Sequence, residues 1–233
     1  MSLYGWVIIG TIAGPSFLSF DKKVHFYTHW KTALPAIFCI GLLFIAWDEY
    51  FTQHSVWGFT DQYIGSVKIG HLPLEEVLFF LVVPYACVFV YEVLIAYFPK
   101  VNLIRITQAF AFAITLSGLV FSLFNLEKWY TLSASSIAAL LTIGLFYIRK
   151  VTWYASFVFT FLVCIIPFLL VNGILTGSVT DFPVVWYNSD HILGARIITI
   201  PLEDLYFNYC MLLPIIGIHT WLKNRNGRST KTD

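Results

Sequence analysis

Charge is scarce in this 233-residue chain, where aspartate, glutamate, lysine and arginine together make up 12% of the residues. An ordinary soluble domain carries about 25% charged residues, which argues against a soluble globular protein. The net charge of +1 indicates no particular partner, and nothing in the composition points to nucleic acid. Apolar sequence is abundant instead, with 58% hydrophobic residues and a mean hydropathy of +0.77. With its long uncharged runs, the chain is predicted to be an all-α, polytopic membrane protein.

Several chemical signatures are also missing. The four cysteines lie inside apolar runs without metal-like spacing, so they are interpreted as small buried hydrophobic residues rather than redox or metal groups. The six histidines are scattered, and no metal is expected. The chain has no GxGxxG motif, no phosphate-binding glycine loop and no DxxxD motif. These absences weigh against nucleotide and prenyl-diphosphate chemistry.

Seven apolar runs predict seven membrane-spanning helices. The first run lacks the basic start and the cleavage site of a signal peptide, so it is expected to be retained as a helix. A basic tail follows the seventh run and is expected to be disordered. The seven runs are Leu3–Phe20, Lys31–Trp47, Leu74–Phe98, Leu103–Phe124, Leu132–Ile148, Trp153–Ile174 and Leu202–Leu222.

The basic residues predict the orientation of these spans. All but three of the 14 lysines and arginines fall in the loops after the first, third and fifth spans or in the tail. The exceptions are Lys68, Lys128 and Arg196. Because loops rich in lysine and arginine stay in the cytoplasm, the N-terminus is predicted outside and the C-terminus inside. The expected location is therefore the cytoplasmic membrane.

One stretch of sequence occurs twice, each time in the loop before an apolar run. Residues 56–80 read VWGFTDQYIGSVKIGHLPLEEVLFF, and residues 185–207 read VWYNSDHILGARIITIPLEDLYF. Trp57 matches Trp186, and after a one-residue slip the two Pro-Leu-acid-acid segments match. In this alignment Lys68 falls one place beyond the position of Arg196. An internal repeat of this kind predicts two related structural units.

The repeat defines the predicted domain organisation. Residues 1–99 form a first unit of three helices, 131–222 form a second, and 100–130 supply a linking helix between them. Residues 223–233 are the basic cytoplasmic tail. Because one extra crossing restores the direction of the chain, the units are predicted to be parallel repeats about an axis along the membrane normal. The two acidic segments should then face each other near one side of the membrane.

The acidic pairs are the strongest candidates for chemistry. Pro73 and Pro201 are predicted at the first helical position, which places the following acids, Glu75 with Glu76 and Glu203 with Asp204, in the first turn. Acids there can simply complement the helix dipole. Their duplication and the aromatic residues beside them favour a functional role, because a carboxyl group in an apolar pocket can stay protonated and act as an acid.

Other side chains are predicted to join them. Asp48 and Asn172 end the second and sixth spans at matching places and are expected to line the same chamber, although ordinary helix-end polarity explains them equally well. Glu92 has no counterpart in the second half and is interpreted as structural, near Lys100. The residues expected to contact a substrate are Asp48, Trp57, Phe79, Phe80, Asn172, Trp186, Tyr206 and Phe207.

The segments PLEEVLFF and IPLEDLYFNY, with the tryptophans upstream of them, resemble the integral-membrane lycopene cyclase domain in its tandem-fused form. The family's PxE(E/D) motif is present twice, and the resemblance covers nearly the whole chain apart from the tail. It implies a lycopene β-cyclase, an isomerase-type enzyme of carotenoid biosynthesis that converts lycopene through γ-carotene to β-carotene. Glu75 or Glu203 is then the expected proton donor, with Glu76 and Asp204 tuning it or acting as base.

The resemblance implies no flavin or nicotinamide cofactor, and the chain has no dinucleotide-binding motif. Two other interpretations remain open. Seven spans arranged three-one-three are also typical of small SWEET-type transporters. A related enzyme acting on another carotenoid end group fits the same residues. A retinal protein is disfavoured because the seventh span contains no lysine for a Schiff base. The sequence gives no information about the oligomeric state.

Overall fold

The structure is a computed structural model, which describes residues 1–99, 101 and 103–229, with side chains as far as residue 226. Long helices dominate it, and three pairs of very short strands lie in the loops that carry the repeat. The helices are α1 (Leu3–Leu18), α2 (Trp30–Gln53), α3 (Leu74–Tyr97), α4 (Ile104–Phe124), α5 (Trp129–Thr142), α6 (Tyr154–Leu175) and α7 (Leu202–Ser229). The strands are β1 (Trp57–Phe59), β2 (Lys68–Ile69), β3 (Leu72–Pro73), β4 (Val185–Tyr187), β5 (Arg196–Ile197) and β6 (Ile200–Pro201).

The all-helical architecture and the apolar spans agree with the sequence prediction, with one difference in length. Six of the described helices are long and apolar enough to cross a membrane, and α1 is a shorter apolar helix of 16 residues. At 1.5 Å per residue α1 is about 24 Å long, less than a bilayer core of about 30 Å. A π-helical turn, Ile143–Ile148, extends α5. The predicted partner Lys100 and the tail residues 230–233 lie outside the described residues.

The helices of the two halves pack against each other rather than forming separate bundles. α2 packs on α7, and its counterpart α6 packs on α3. α1 packs closely on α3, while its counterpart α5 packs on both α4 and α7. The main core therefore collects buried side chains from both halves, including Phe80 of α3 and Tyr209 of α7. Because helices of one half pack on helices of the other, the two acidic helix starts lie in the same protein interior.

Each repeat loop ends in a small hairpin that leads directly into its acidic helix. β2 pairs with β3 and β5 pairs with β6, both antiparallel. The first residue of each two-residue turn, Gly70 or Ile198, has a positive φ, of 64° and 59° respectively. Glycine adopts this conformation freely, whereas a β-branched residue is strained there. The second hairpin is thus the more strained of the two.

The hairpins also correct two details of the sequence alignment. Lys68 pairs with Pro73 as Arg196 pairs with Pro201, so the two basic residues are equivalent. The same spacing relates β1 to β4, so the structure needs no one-residue slip, and Val185 rather than Trp186 is the structural counterpart of Trp57. Each proline ends a strand and immediately precedes its helix, which begins at Leu74 or at Leu202. The prolines therefore precede the first helical position instead of occupying it. The acidic pairs still fall in the first turn, as predicted.

The two repeat loops are joined directly to each other. β1 of the first loop pairs antiparallel with β4 of the second, with Trp57 opposite Tyr187 and Gly58 opposite Trp186. Backbone hydrogen bonds from Thr60 to Val184 (2.9 Å) and from Asn188 to Val56 (2.9 Å) continue this ribbon at both ends. The ribbon therefore holds the two acidic helix starts at the same end of the molecule.

Candidate active site

A cavity of about 720 Å³ lies between the two halves of the chain. Three carboxyl groups line it, from Asp48 near the end of α2, Glu76 at the start of α3 and Asp204 at the start of α7. All three residues are at least 90% buried. The rest of the wall is mainly aliphatic and aromatic. The site therefore combines several acids with an apolar interior at one end of the bundle.

The first acid of each pair does not line this cavity. Glu75 accepts hydrogen bonds from the Ser2 hydroxyl and from the Gly65 backbone N–H (2.8 Å). Glu203 is bonded in a matching way by the Thr131 hydroxyl (2.5 Å) and the Leu193 backbone N–H (2.5 Å). In each half the first acid thus ties the repeat loop to the helix that starts the unit. These contacts do not test the sequence-based assignment of Glu75 or Glu203 as proton donor, which stays a prediction. The Oε2 atom of Glu203 is buried and has no hydrogen-bond partner among the described residues.

Gly65 makes this tie possible in the first half. A Cβ atom at residue 65 would lie 2.7 Å from Glu75 Oε1, closer than real side-chain carbons approach an oxygen. The absence of a side chain lets the carboxylate reach the loop backbone. The repeated tryptophan-to-acid motif therefore has a structural component as well as a chemical one.

The second acid of the first half, Glu76, keeps one oxygen free. The Tyr4 hydroxyl of α1 donates to Glu76 Oε2 at 2.6 Å. Among the described residues, no other side chain or backbone amide is bonded to this carboxyl group. Glu76 lines the cavity, so its remaining oxygen can offer a hydrogen to a bound molecule without breaking an existing contact.

Asp204, its counterpart in the second half, has a crowded environment. Tyr130 donates to its Oδ1 at 2.7 Å, while Tyr187 (3.0 Å) and Asn172 (3.1 Å) donate to Oδ2. Burial raises the pKa of the Tyr187 phenol well above its usual value, and the adjacent Asp204 carboxylate raises it further. Tyr187 therefore stays a donor. Three donors around one carboxyl group match an acceptor-only carboxylate.

Asp48 supplies the third carboxyl group. Its Oδ1 accepts a hydrogen bond from the indole N–H of Trp57, the tryptophan that begins the repeat. Its Oδ2 is buried and has no hydrogen-bond partner among the described residues. A candidate partner is the hydroxyl of Thr52, one turn later in α2, which is itself buried and without another partner among the described residues.

Aromatic rings surround the acids on the side of α2 and α7. Trp57 packs edge-on against Tyr130 with ring centroids 4.8 Å apart. Phe207 packs against Phe44 at 4.8 Å and against Trp47 at 5.1 Å. The faces of such rings are electron-rich and can stabilise a nearby positive charge. The arrangement thus offers acid groups and cation-stabilising surfaces in one water-poor interior.

Of the predicted substrate contacts, six lie on the cavity wall and two do not. The six on the wall are Asp48, Trp57, Phe79, Phe80, Asn172 and Phe207. Trp186 is 39% exposed and covers Gly58 of the paired strand. Tyr206 points away, and its hydroxyl donates to Ser117 of α4 at 2.7 Å. The direction of Tyr206 follows from its helix, because adjacent residues lie about 100° apart around a helix axis.

Sequence reasoning missed Tyr4, Tyr130 and Tyr187, which bind the cavity acids. Tyr4 and Tyr130 lie at equivalent places near the start of α1 and α5, so extending the repeat comparison upstream could have found them. Tyr187 directly follows the repeated tryptophan of the second loop. No glutamate or aspartate lies beside them in the sequence to mark them as donors.

Glu92 lies towards the other end of α3 and belongs to a separate ionic cluster. Lys223 of α7 bonds both of its oxygens (2.8 and 2.7 Å), and His219 contacts Oε1 at 2.8 Å. The prediction of a structural role fits this arrangement, in which Lys223 is a basic partner of Glu92. In the described part of the chain, no three histidine, cysteine, aspartate or glutamate side chains form a group that could hold a metal ion.

Comparison with protein families gives one finding. The family model described as "Lycopene cyclase" matches residues 1–94 and 127–222. The unmatched segment between these two regions contains α4, and the matched regions contain the two acidic pairs. Neither the curated proteins nor the solved structures give a significant match to the chain.

Proposed function

The chain belongs to the lycopene cyclase family, and from this premise we propose that it converts the linear ends of lycopene into β-ionone rings, through γ-carotene to β-carotene. The substrate is a long hydrocarbon that dissolves in the bilayer, and the reaction is an isomerisation without net redox change. The observation that carries the proposal is the meeting of Asp48, Glu76 and Asp204 in one apolar, aromatic cavity.

In the proposed reaction a carboxylic acid adds a proton to the terminal double bond of lycopene, which leaves a tertiary carbocation. The π electrons of a neighbouring double bond attack this carbon and close a six-membered ring, and the positive charge moves to a ring carbon. A base then removes a proton from the adjacent ring carbon and forms the ring double bond. One proton enters and one leaves for each ring, so the product is an isomer of the substrate.

Glu76 is the proposed proton donor and Asp204 the proposed base. Glu76 has one hydrogen bond, from Tyr4, and therefore has an oxygen available to carry the transferred proton. Asp204 is held by Tyr130, Tyr187 and Asn172 as an acceptor beside the developing positive charge. Positioned acids and bases of this kind contribute about 10²–10⁴-fold in rate. Glu75 and Glu203 position the loops and do not touch the substrate in this proposal.

The aromatic wall has two roles in the proposal. Rings such as Trp57 and Phe207 stabilise the carbocation, by about 0.5–2 kcal/mol each. They also keep water from the cation, since water would trap it as an alcohol. Asp48, Phe79, Phe80 and Asn172 line the substrate site, while Trp186 and Tyr206 shape it from outside. No flavin or nicotinamide takes part, because proton addition and loss are balanced.

The proposal includes the arrangement in the membrane. The six long helices cross the bilayer and the shorter α1 lies in it beside them. Together they form two parallel three-helix units, residues 1–99 and 131–222, with 100–130 linking them and a basic tail at 223–233. The N-terminus is outside and the C-terminus is in the cytoplasm, on the evidence of the lysine and arginine distribution. The location is the cytoplasmic membrane. Fusions of a reporter to each loop test this orientation.

Expression in a lycopene-accumulating bacterium tests the function. The wild-type chain should convert red lycopene into monocyclic and bicyclic carotenoids, identified by chromatography and mass. Glu76→Gln and Asp204→Asn should each lower ring formation by at least 100-fold while the protein remains in the membrane. Glu49→Gln is the matched control, since Glu49 adjoins Asp48 on α2 but bonds His71 at the surface.

Other results would point to other functions. Unchanged lycopene with well-folded wild-type protein would contradict the proposal, and cyclic products from both acid variants would contradict the assigned roles. A different end group in the product would identify a related carotenoid enzyme. A SWEET-type transporter would instead give solute uptake in vesicles and no change in pigment.

A further inference from the structure

The cavity extends well beyond the acids, along almost the full length of α1. Its wall on this helix includes Tyr4 near the acids and Leu18 at the last helical residue. This distance corresponds to about 21 Å at 1.5 Å per residue. The part of the cavity far from the acids is apolar, and the chemistry of the three carboxyl groups does not require it. It is therefore suited to binding an apolar part of a ligand.

This extension opens sideways between α1 and α6, and we call the opening the trough. α1 packs closely on α3 but barely touches α6, so the two helices leave a gap between them. Residues on both edges line the cavity and are also exposed on the outer surface. The edges of the trough are Trp6, Gly10, Gly14 and Leu18 on α1, and Pro167 and Leu170 on α6.

The α1 edge is a regular stripe. Its four residues are each four positions apart and so lie on one face of the helix. Gly10 and Gly14 form the middle of the stripe, and a Cβ atom at either would meet no atom within 4 Å. These glycines therefore keep space open. Glycine destabilises a helix by about 1 kcal/mol relative to alanine, so helix stability does not explain the presence of either residue.

α1 packs along α3 on one side, which leaves its other side available to form an edge of the trough. Tyr4 and Ile8 belong to a small cluster beside the acids that is separate from the main core. At the other end, the Ser19 hydroxyl is bonded to Tyr85 of α3 at 2.7 Å. Between these anchors no residue of α1 is fully buried.

The described residues of the second half fill the corresponding space differently. The space between α5, α7 and α2, which corresponds to the trough by the internal repeat, is filled by aromatic rings. Phe51 packs against Trp57 at 5.0 Å, and Tyr130 packs against Phe207 at 5.9 Å. α4 covers the outer side of α5. The two halves are therefore related in sequence but differ in access.

From these observations we propose that the trough is the entrance for the substrate and the binding site for its unreacted polyene chain. The proposal rests on the function proposed above. One linear end reaches Glu76 and Asp204 through the gap between α1 and α6, while the remaining chain lies along Gly10 and Gly14 and continues into the lipid. Asp48, Glu76 and Asp204 line the same cavity as the trough residues. Because the three carboxyl groups share one cavity, the two ends of lycopene react one after the other in this proposal.

Blocking the trough from each edge tests the proposal. Gly10→Phe/Gly14→Phe fills it from α1, and Gly144→Phe is the matched control, because a Cβ at Gly144 also meets nothing within 4 Å but Gly144 does not line the cavity. Leu170→Trp fills it from α6, and Ile166→Trp is its control, one turn away, equally exposed and outside the cavity wall.

The measurements are pigment conversion in lycopene-accumulating cells and lycopene bound to the purified protein. Both blocking variants should lose at least 10-fold in each, and both controls should match the wild type. Glu76→Gln should lose conversion but keep bound lycopene, which separates entry from chemistry. If both blocked variants convert lycopene like their controls, the entrance lies elsewhere even though the function stands. If the wild type makes no cyclic product, the function itself is wrong.

Discussion

The hydroxyl of Tyr4 bonds the carboxyl group of Glu76 at 2.6 Å, although the two residues are 72 positions apart in the chain. Tyr130 makes the equivalent bond to Asp204 at 2.7 Å, across 74 positions. In each half, the first helix thus presents a phenol to the second acid of the motif. Four residues in two like pairs form the centre of the proposed chemistry, and the pairs differ in how many further donors they have.

Removing these phenols should affect chemistry more than folding. Tyr4→Phe and Tyr130→Phe each delete one hydrogen bond to a carboxyl group, worth about 1.5–3 kcal/mol when the partner is charged. We expect a 10- to 100-fold loss in the rate of ring formation, measured by pigment conversion over time. Tyr209→Phe is the control, because Tyr209 bonds Thr142 and Tyr154 inside the core, away from the acids.

The two tyrosine variants should also differ from each other. Tyr4 is the single partner found for Glu76, whereas Asp204 keeps Tyr187 and Asn172 after the loss of Tyr130. The loss should therefore be larger for Tyr4→Phe. Equal activity of both variants and the wild type would mean that these phenols do not position the acids.

Isotope incorporation reports the proton transfer directly. In deuterated water the exchangeable carboxyl groups carry deuterium, which the acid adds to the terminal double bond. That hydrogen stays in the product, since the base removes a different one. We expect one deuterium per ring, so a bicyclic product should be heavier by two mass units than the same product made in ordinary water, as measured by mass spectrometry.

The control for this measurement is the unreacted lycopene from the same cells, which supplies the baseline label. Product that carries no more deuterium than this baseline would contradict protonation by an exchangeable acid. Monocyclic product should carry half of the excess label, which checks that each ring is formed in an independent event.

Gly65→Ala should lower stability through the first acid of the motif. The added Cβ would lie 2.7 Å from Glu75 Oε1 and would push the carboxylate away from the loop that it holds. Such crowding in a packed site costs about 1–3 kcal/mol. Thermal denaturation of the purified protein in detergent measures the loss. Gly10→Ala is the control, since its Cβ enters open space, and its midpoint should not fall because alanine is the better helix residue. An unchanged midpoint for Gly65→Ala would contradict the close contact.

Glu92→Gln should lower stability without removing the chemistry. Glu92 binds Lys223 and His219 and lies near His29 at 3.5 Å, so it joins α3, α7 and the start of α2 at the end of the bundle far from the cavity acids. Loss of a hydrogen-bonded charged partner typically costs about 1–3 kcal/mol. The denaturation midpoint should fall while the rate per folded molecule stays within about twofold of wild type.

A loss of rate per folded molecule beyond that range would show that the cluster takes part in the reaction. Glu127→Gln, which changes a carboxylate in the loop between α4 and α5, is the comparison variant for general charge effects.

Much of the architecture was predictable because it depends on local composition. Lipid requires long apolar runs with every backbone group hydrogen-bonded inside a helix, so spans such as 74–98 and 103–124 could be read to within a residue or two. The acidic helix starts were also predictable, because the motif that marks them is a local stretch of sequence that occurs twice. Composition was a poorer guide to the length of α1, whose 16 helical residues are too few for a typical membrane span.

The roles within each acidic pair were not predictable in this way. Glu75 and Glu76 are neighbours in one helical turn, and about 100° of rotation separates their directions. Only the packing of α1, α3 and the repeat loop decides that Glu75 meets Ser2 and Gly65 while Glu76 lines the cavity. The same rotation turns Tyr206 towards α4 and leaves Phe207 on the cavity wall.

The sequence by itself determined a bundle of apolar helices, two matching halves and an acidic pair in the first turn of one helix in each half, because these follow from local hydrophobicity, spacing and repetition. The tertiary structure alone decided which acids share a cavity, which tyrosines bond them and which side of the bundle opens between α1 and α6. Those relationships join residues far apart in the chain, and they arise only when helices of one half pack against helices of the other.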